Sequence, residues 1–149
     1  MSIKIITGGL IFILMIGGCA RIQSQAMPDT KITNFKTAYI EPMPQDEFNL
    51  TPAVAWELAD MGLKVKLQTP SADALDTDLL VKLSYVGGWD IQRYLRGFNV
   101  QMLSAKDRTL IASVSYFKLG IFITQASRME DAFNDLREKL QLQPTRQFN

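Results

Sequence analysis

The sequence predicts an α+β domain: a two-layer sandwich with two helices on one face of a mostly antiparallel sheet, in the order β-α-β-β-β-β-α. Three observations predict it. Apolar residues alternate with polar ones in several short stretches, which is strand patterning, and recur at helical spacing in two others. Each helical stretch has a single apolar face, which suits packing on one side of a sheet. Asn99, Gln101, Ser113 and Ser115 leave the opposite side of two strands polar, as an antiparallel sheet with one wet face requires. At 149 residues and 47% apolar content the chain is one domain, large enough to bury a core without staples.

The elements follow in order. Residues 20–33 are polar, without helical or strand periodicity, and read as a flexible tether of about a dozen residues spanning about 20 Å. Lys36 to Ile40 is a first strand, followed by the proline-punctuated loop Glu41-Pro42-Met43-Pro44. Thr51-Pro52 offers a hydroxyl N-cap with proline at the first helical position. Val54, Leu58 and Met61 then recur at helical spacing, and Gly62 supplies the stop. Leu63-Lys64-Val65-Lys66-Leu67 alternates strictly, a second strand. After a polar turn from Asp73 to Asp78, Leu79 to Val86 is a third strand with Leu79, Val81, Leu83 and Tyr85 on one side. Gly87-Gly88 marks a turn or bulge. Leu95 to Leu103 is a fourth strand burying Phe98, Val100 and Met102, and Leu110 to Phe117 is the fifth. Ser127-Arg128-Met129-Glu130 is a capping box opening the strongest helix. Met129, Ala132, Phe133, Leu136 and Leu140 form its apolar stripe. Pro144 blocks continuation, and residues 143–149 are expected to fray.

The amino-terminal residues are of another kind. Met1 to Gly18 contains no acid, Lys4 and the terminus are positive, and Leu10 to Ile16 is unbroken apolar chain. The stretch from Ile5 to Gly18 is shorter than the ~20 residues of a membrane span and has the three parts of a secretory signal peptide. Its exit, Ile16-Gly17-Gly18-Cys19, resembles the bacterial lipoprotein signal. The resemblance implies cleavage before Cys19, lipidation of its thiol and acylation (palmitate among the chains) of the new amino group. In lipoproteins of Gram-negative bacteria, Asp after the lipidated Cys favours the inner membrane. Ala20 stands there in this chain, which implies the outer membrane, facing the periplasm. Two or more acyl chains hold a protein durably where one does not. The sixteen basic residues less Lys4 balance the fifteen acidic ones, so polybasic attachment to headgroups is not expected. The expected division is therefore 1–18 signal peptide, 19–33 lipidated tether, 34–142 a single domain and 143–149 tail.

A second resemblance lies within the domain. Asp78-Leu79-Leu80, Phe98-Asn99-Val100-Gln101-Met102 and Ala105-Lys106-Asp107-Arg108-Thr109-Leu110-Ile111-Ala112 are similar to a pattern in small periplasmic α/β lipoproteins. That group includes the amino-terminal-type domain of TolB, curli-secretion-like lipoproteins and uncharacterised lipoprotein families. In the pattern an acidic residue precedes a strand and a hairpin turn contains glycine. Arg108 or Thr109 stands where the glycine belongs, so the turn type is open. The resemblance implies fold and envelope context and carries over no catalytic residue.

Composition narrows the chemistry. Balanced charge gives no field to attract nucleic acid. With no histidine and one cysteine, the commonest general base, the usual zinc ligand and Ser-His or Cys-His pairs are absent. Pairing Ser113 or Ser115 with Lys118 lacks a basis in spacing. Asp73, Asp76, Asp78 and Asp90 are too interrupted for a calcium loop, which needs denser oxygen ligands and a turn glycine. They read as solvated turn carboxylates. No cofactor, metal or catalytic residue is expected.

The most unusual stretch is Gly87 to Gly97, which gathers Trp89, Asp90, Arg93, Tyr94 and Arg96 between glycines. Trp, Tyr and Arg are enriched at interface hot spots, so these five are the candidate interaction residues of a projecting hairpin. In the packing alternative, Trp89 plugs the end of the core and Tyr94 lies across the sheet. Leu119 to Thr124 is expected to fold over the open end of the core. The function expected is that of a lipid-anchored, non-enzymatic envelope protein, held in the membrane through Cys19 and contacting an envelope protein. The alternatives are a glycan or small-ligand module using Trp89, Tyr94 and Phe98, and a carboxylate-dependent wall hydrolase.

Overall fold

The computed structural model describes residues 21–28, 31–67, 76–89, 91–117 and 125–142. The expected signal peptide, Cys19, the 119–124 run and the tail 143–149 lie outside these residues, as do Asp73 and Asp90. Among the described residues six strands form one sheet: β1 (Arg21–Ala26), β2 (Thr37–Ile40), β3 (Lys64–Lys66), β4 (Leu79–Trp89), β5 (Arg93–Ser104) and β6 (Leu110–Phe117). Two helices accompany them, α1 (Leu50–Asp60) and α2 (Gln125–Lys139), and a 3-10 turn covers Ile32–Asn34. The strand order is β1-β6-β5-β4-β2-β3. The β1–β6, β6–β5 and β5–β4 pairs are antiparallel, whereas β2 is parallel to both β4 and β3.

The predicted class holds, with the helices together on one face. Helix α2 packs on β1 and β6, α1 packs on β2 and β3, and the helices touch each other. Between the layers Val54, Leu58, Val81, Val100, Met102, Val114, Phe133 and Leu136 are fully buried, each contributing roughly 1.5–3 kcal/mol of apolar transfer. Phe98 and Tyr116 stack in the same core, centroids 5.8 Å apart. Asn99, Gln101, Ser113 and Ser115 occupy the uncovered face as expected. Tyr39 and Leu80 are cross-strand partners on that same side, yet both are buried.

Several local expectations are corrected. Six residues of the stretch read as a tether are strand β1, paired along its whole length with β6 from Arg21–Phe117 to Ala26–Ala112. Only Ile22 is a bulky apolar residue among its inward positions; Ser24 and Ala26 complete that face, which hides the alternation. The inward Ser24 donates its hydroxyl to the Asp135 carboxylate of α2, and Lys139 donates to the Ser24 carbonyl at 2.7 Å. Helix α1 begins at Leu50, one residue before the expected Thr51 cap. Its cap residue Asn49 is left-handed at φ 50°, a conformation asparagine tolerates. The Asp46 carboxylate accepts from the amides of Leu50 at 2.7 Å and Thr51 at 2.8 Å. Helix α2 starts two residues before Ser127, because Gln125 and Ala126 are themselves helix formers.

Gly62, at φ 90°, ends α1 as expected. The Leu63 amide bonds to the Leu58 carbonyl and the Gly62 amide to that of Ala59, a left-handed glycine cap. Helix α2 ends with the same hydrogen-bond pattern, but Gln141 holds the left-handed position at φ 56°. The β5–β6 turn also lacks glycine, and there Arg108 adopts φ 62°. Asp107 braces that turn by accepting from the Thr109 amide and hydroxyl.

Candidate functional site

The β4–β5 hairpin outgrows the sheet. Beside it, β6 reaches the Gly97–Phe117 pair, whereas β4 and β5 continue together to Trp89–Arg93. Gly87-Gly88 does not turn the chain; both lie within β4. The expected irregularity falls instead on β5, where Val86 faces Gly97 and Gly87 faces Leu95. One extra residue, Arg96, is therefore inserted as a bulge. Its effect is to change phase: Leu95 turns inward and is buried with Phe98, while Tyr94 opposes Gly88 on the open face. Arg128, itself buried in α2, donates to the Leu95 carbonyl from beneath. A buried carbonyl at a disrupted ladder needs such a partner.

Two glycines make the floor on which the open-face side chains lie. A Cβ on Gly88 would sit 2.5 Å from the Tyr94 ring and 2.8 Å from Arg96 Cδ. A Cβ on Gly97 would sit 2.6 Å from the Tyr116 carbonyl oxygen and 2.9 Å from the Phe117 ring. The Arg96 guanidinium carbon lies 5.6 Å from the centre of the Phe117 ring, within cation–π range. Tyr94, Arg96 and Phe117 thus form a flat platform across the end of the sheet. The Arg96 Nε, although buried, has no hydrogen-bond partner, which marks the platform as short of one polar contact.

On the helix side the hairpin is braced by the loop after β2. Arg93 pairs with Glu47 at 2.6 Å, and Phe48 sits edge-on to Tyr85 at 5.2 Å and over Gly87. Beyond this brace, Trp89 is 76% exposed and Ile91 95%. The packing alternative is corrected for Trp89, since its pair lies past the last position flanked by β6 and no described strand stands beside it. It holds for Tyr94, which does lie across the sheet. Phe98 is stacked in the core, so it leaves the ligand-contact set.

The carboxylates are structural where described. Asp78 accepts from the Lys36 amide at 2.7 Å and from the Thr37 amide and hydroxyl at 2.9 and 3.0 Å. These bonds, led by those from the Lys36 and Thr37 amides, hold its carboxyl below the usual 3.8. Asp76 is exposed, and its backbone carbonyl accepts from Lys66 at 3.3 Å. No group of three or more His, Cys, Asp or Glu that could hold a metal occurs among the described residues.

The sequence singles out Trp89, Asp90, Arg93, Tyr94 and Arg96 as candidates, of which Asp90 lies outside the described residues, but it does not point to Phe117, Arg128 or the flooring role of Gly88 and Gly97. Phe117 read as a strand end. The glycine spacing was a usable signal, because glycines on neighbouring strands invite side chains to lie flat.

No family model and no curated protein matches the chain. Solved structures share its fold. A DUF4136 family protein from Bacteroides thetaiotaomicron superposes with a TM-score of 0.58 at 11% identity, over 83% of this chain and 97% of that one. PelC from Paraburkholderia phytofirmans, solved as a dodecamer, superposes at 0.54 with 12% identity, over 84% of this chain and 99% of that one. The chain has the fold of these proteins nearly end to end. Among the described residues no helix is long and apolar enough to cross a membrane.

Proposed function

We propose that the chain is a bacterial envelope lipoprotein, anchored through acyl chains on Cys19 at the periplasmic face of the outer membrane, that works by protein contact and not by catalysis. The observation that carries the contact role is the Tyr94–Arg96–Phe117 platform, built on the face of the sheet that the helices leave open. Its tyrosine and arginine are of the types that dominate interface energetics. The signal-like leader, its exit into the chain's one cysteine and the outer-membrane type of residue at Ala20 support the location. PelC, with the same fold, was solved as a dodecamer, which supports association with further copies of this chain as one form of the contact.

Cross-linking in intact cells, followed by extraction and mass analysis, tests the reading. The expected product is a discrete complex containing lipidated Cys19, reduced about tenfold by Tyr94→Ala or Arg96→Ala, a loss of the size typical of a hot spot. A complex indifferent to both substitutions, or a monomer throughout, counts against the platform.

A further inference from the structure

We infer that the tip of the β4–β5 hairpin, through Trp89 and Ile91, rests in the interfacial layer of the same lipid leaflet that holds the Cys19 acyl chains. The inference rests on the reading of Cys19 as lipidated, and it assigns the tip to a bilayer where the platform is assigned to a protein.

The register of the sheet carries it. Arg21 opposes Phe117, Phe117 opposes Gly97, and Gly97 opposes Val86. The end at which the chain enters β1 is therefore the end from which the hairpin projects. Cys19 stands two residues before Arg21, so covalent geometry keeps it within about 7 Å of that end. Trp89 lies three residues beyond Val86, about 10 Å farther along the strand. The chain leading to the anchor and the hairpin tip thus leave the sheet at the same end.

What the tip exposes suits lipid. Ile91 is 95% exposed, Trp89 76% and Val86 51%, all at this end. Met27 lies past the opposite end of β1, Leu67 follows β3 and Trp56 belongs to α1, so among the described residues the other large exposed apolar side chains are scattered singly, which is ordinary for a surface. Tryptophan settles at membrane–water interfaces because its ring is apolar with one polar edge. Amphipathic surfaces sink about 5–10 Å into that layer, a depth that the projecting tip matches. Arg21 stands at the same end, with a stem able to lie along lipid while its head reaches phosphates.

The test uses the native lipidated protein in phosphatidylethanolamine/phosphatidylglycerol vesicles, with and without bromine on the acyl chains. Trp56→Phe leaves Trp89 as the reporting indole, and Trp89→Phe leaves Trp56. The expected result is a blue-shifted Trp89 emission that loses roughly half its intensity to bromine, as a ring at interfacial depth should, while Trp56 is unquenched. Protein that floats with the vesicles but shows an unquenched Trp89 overturns the inference and leaves the anchor intact. Protein that does not float and whose mass shows an unmodified Cys19 overturns both. Cross-links from position 91 to a protein and none to lipid overturn it in favour of a second protein contact.

Discussion

Arg137 of α2 holds the Glu57 carboxylate of α1 at 2.6 Å, with both side chains buried between the helices. The same guanidinium reaches Asp60 at 3.0 Å and Asn134 at 3.1 Å. Burial pushes the Glu57 carboxyl above its ordinary 4.5, against the downward pull of Arg137. A group whose protonated form the fold favours adds stability that is present at low pH and lost as pH rises through its folded value. Arg137→Met takes the guanidinium from the buried Glu57 carboxylate, so a loss of about 3 kcal/mol at pH 7 is expected. The deficit relative to wild type should shrink as pH falls toward 5, which urea titrations at several pH values will show.

Asp78 has the opposite sign. Its lowered carboxyl contributes stability above its unfolded value near 3.8, and that contribution disappears as pH falls through the folded value. Asp78→Ala removes the clasp between the start of β2 and the start of β4. Because the group is exposed, the expected cost is only about 1 kcal/mol, with a flatter acid limb below pH 4 in denaturation monitored by circular dichroism.

The two floor glycines should separate function from stability. A methyl at Gly97 meets a backbone carbonyl that cannot yield, and Gly97→Ala is expected to cost about 1–3 kcal/mol. A methyl at Gly88 meets the ends of two flexible side chains, so Gly88→Ala displaces Tyr94 and Arg96 while changing stability by less than about 1 kcal/mol. Thermal melts beside the cross-linking assay will show whether contact is lost in a fully folded Gly88→Ala protein.

Arg108 and Gln141 pay a steric penalty that glycine escapes. Arg108→Gly and Gln141→Gly should each stabilise by roughly 0.5–1 kcal/mol. Among the described residues the ion pair forfeited is the exposed one from Arg108 to Glu41 at 3.8 Å, worth little. Raised urea midpoints at unchanged slope are the readout.

The α2 stripe and most of the phasing of β4, β5 and β6 were legible because bulky apolar residues mark most inward positions. Strand β1 was not, since its inward Ser24 is satisfied by α2, a contact far along the chain. The start of α1 was misplaced because its amide acceptor comes from Asp46, four residues before Leu50, and not from the cap position itself. At the hairpin the residue types were visible, but their orientation was not, because it follows from a one-residue insertion that apolar patterning does not report.

That insertion works as a counter. Were Arg96 drawn into the ladder opposite Gly87, every side chain between it and the hairpin end would swap sides: Leu95 onto the open face, Tyr94 toward the helices. Homologous chains can therefore exchange many residues along this ribbon and keep its display as long as the Arg96 position stays out of the ladder.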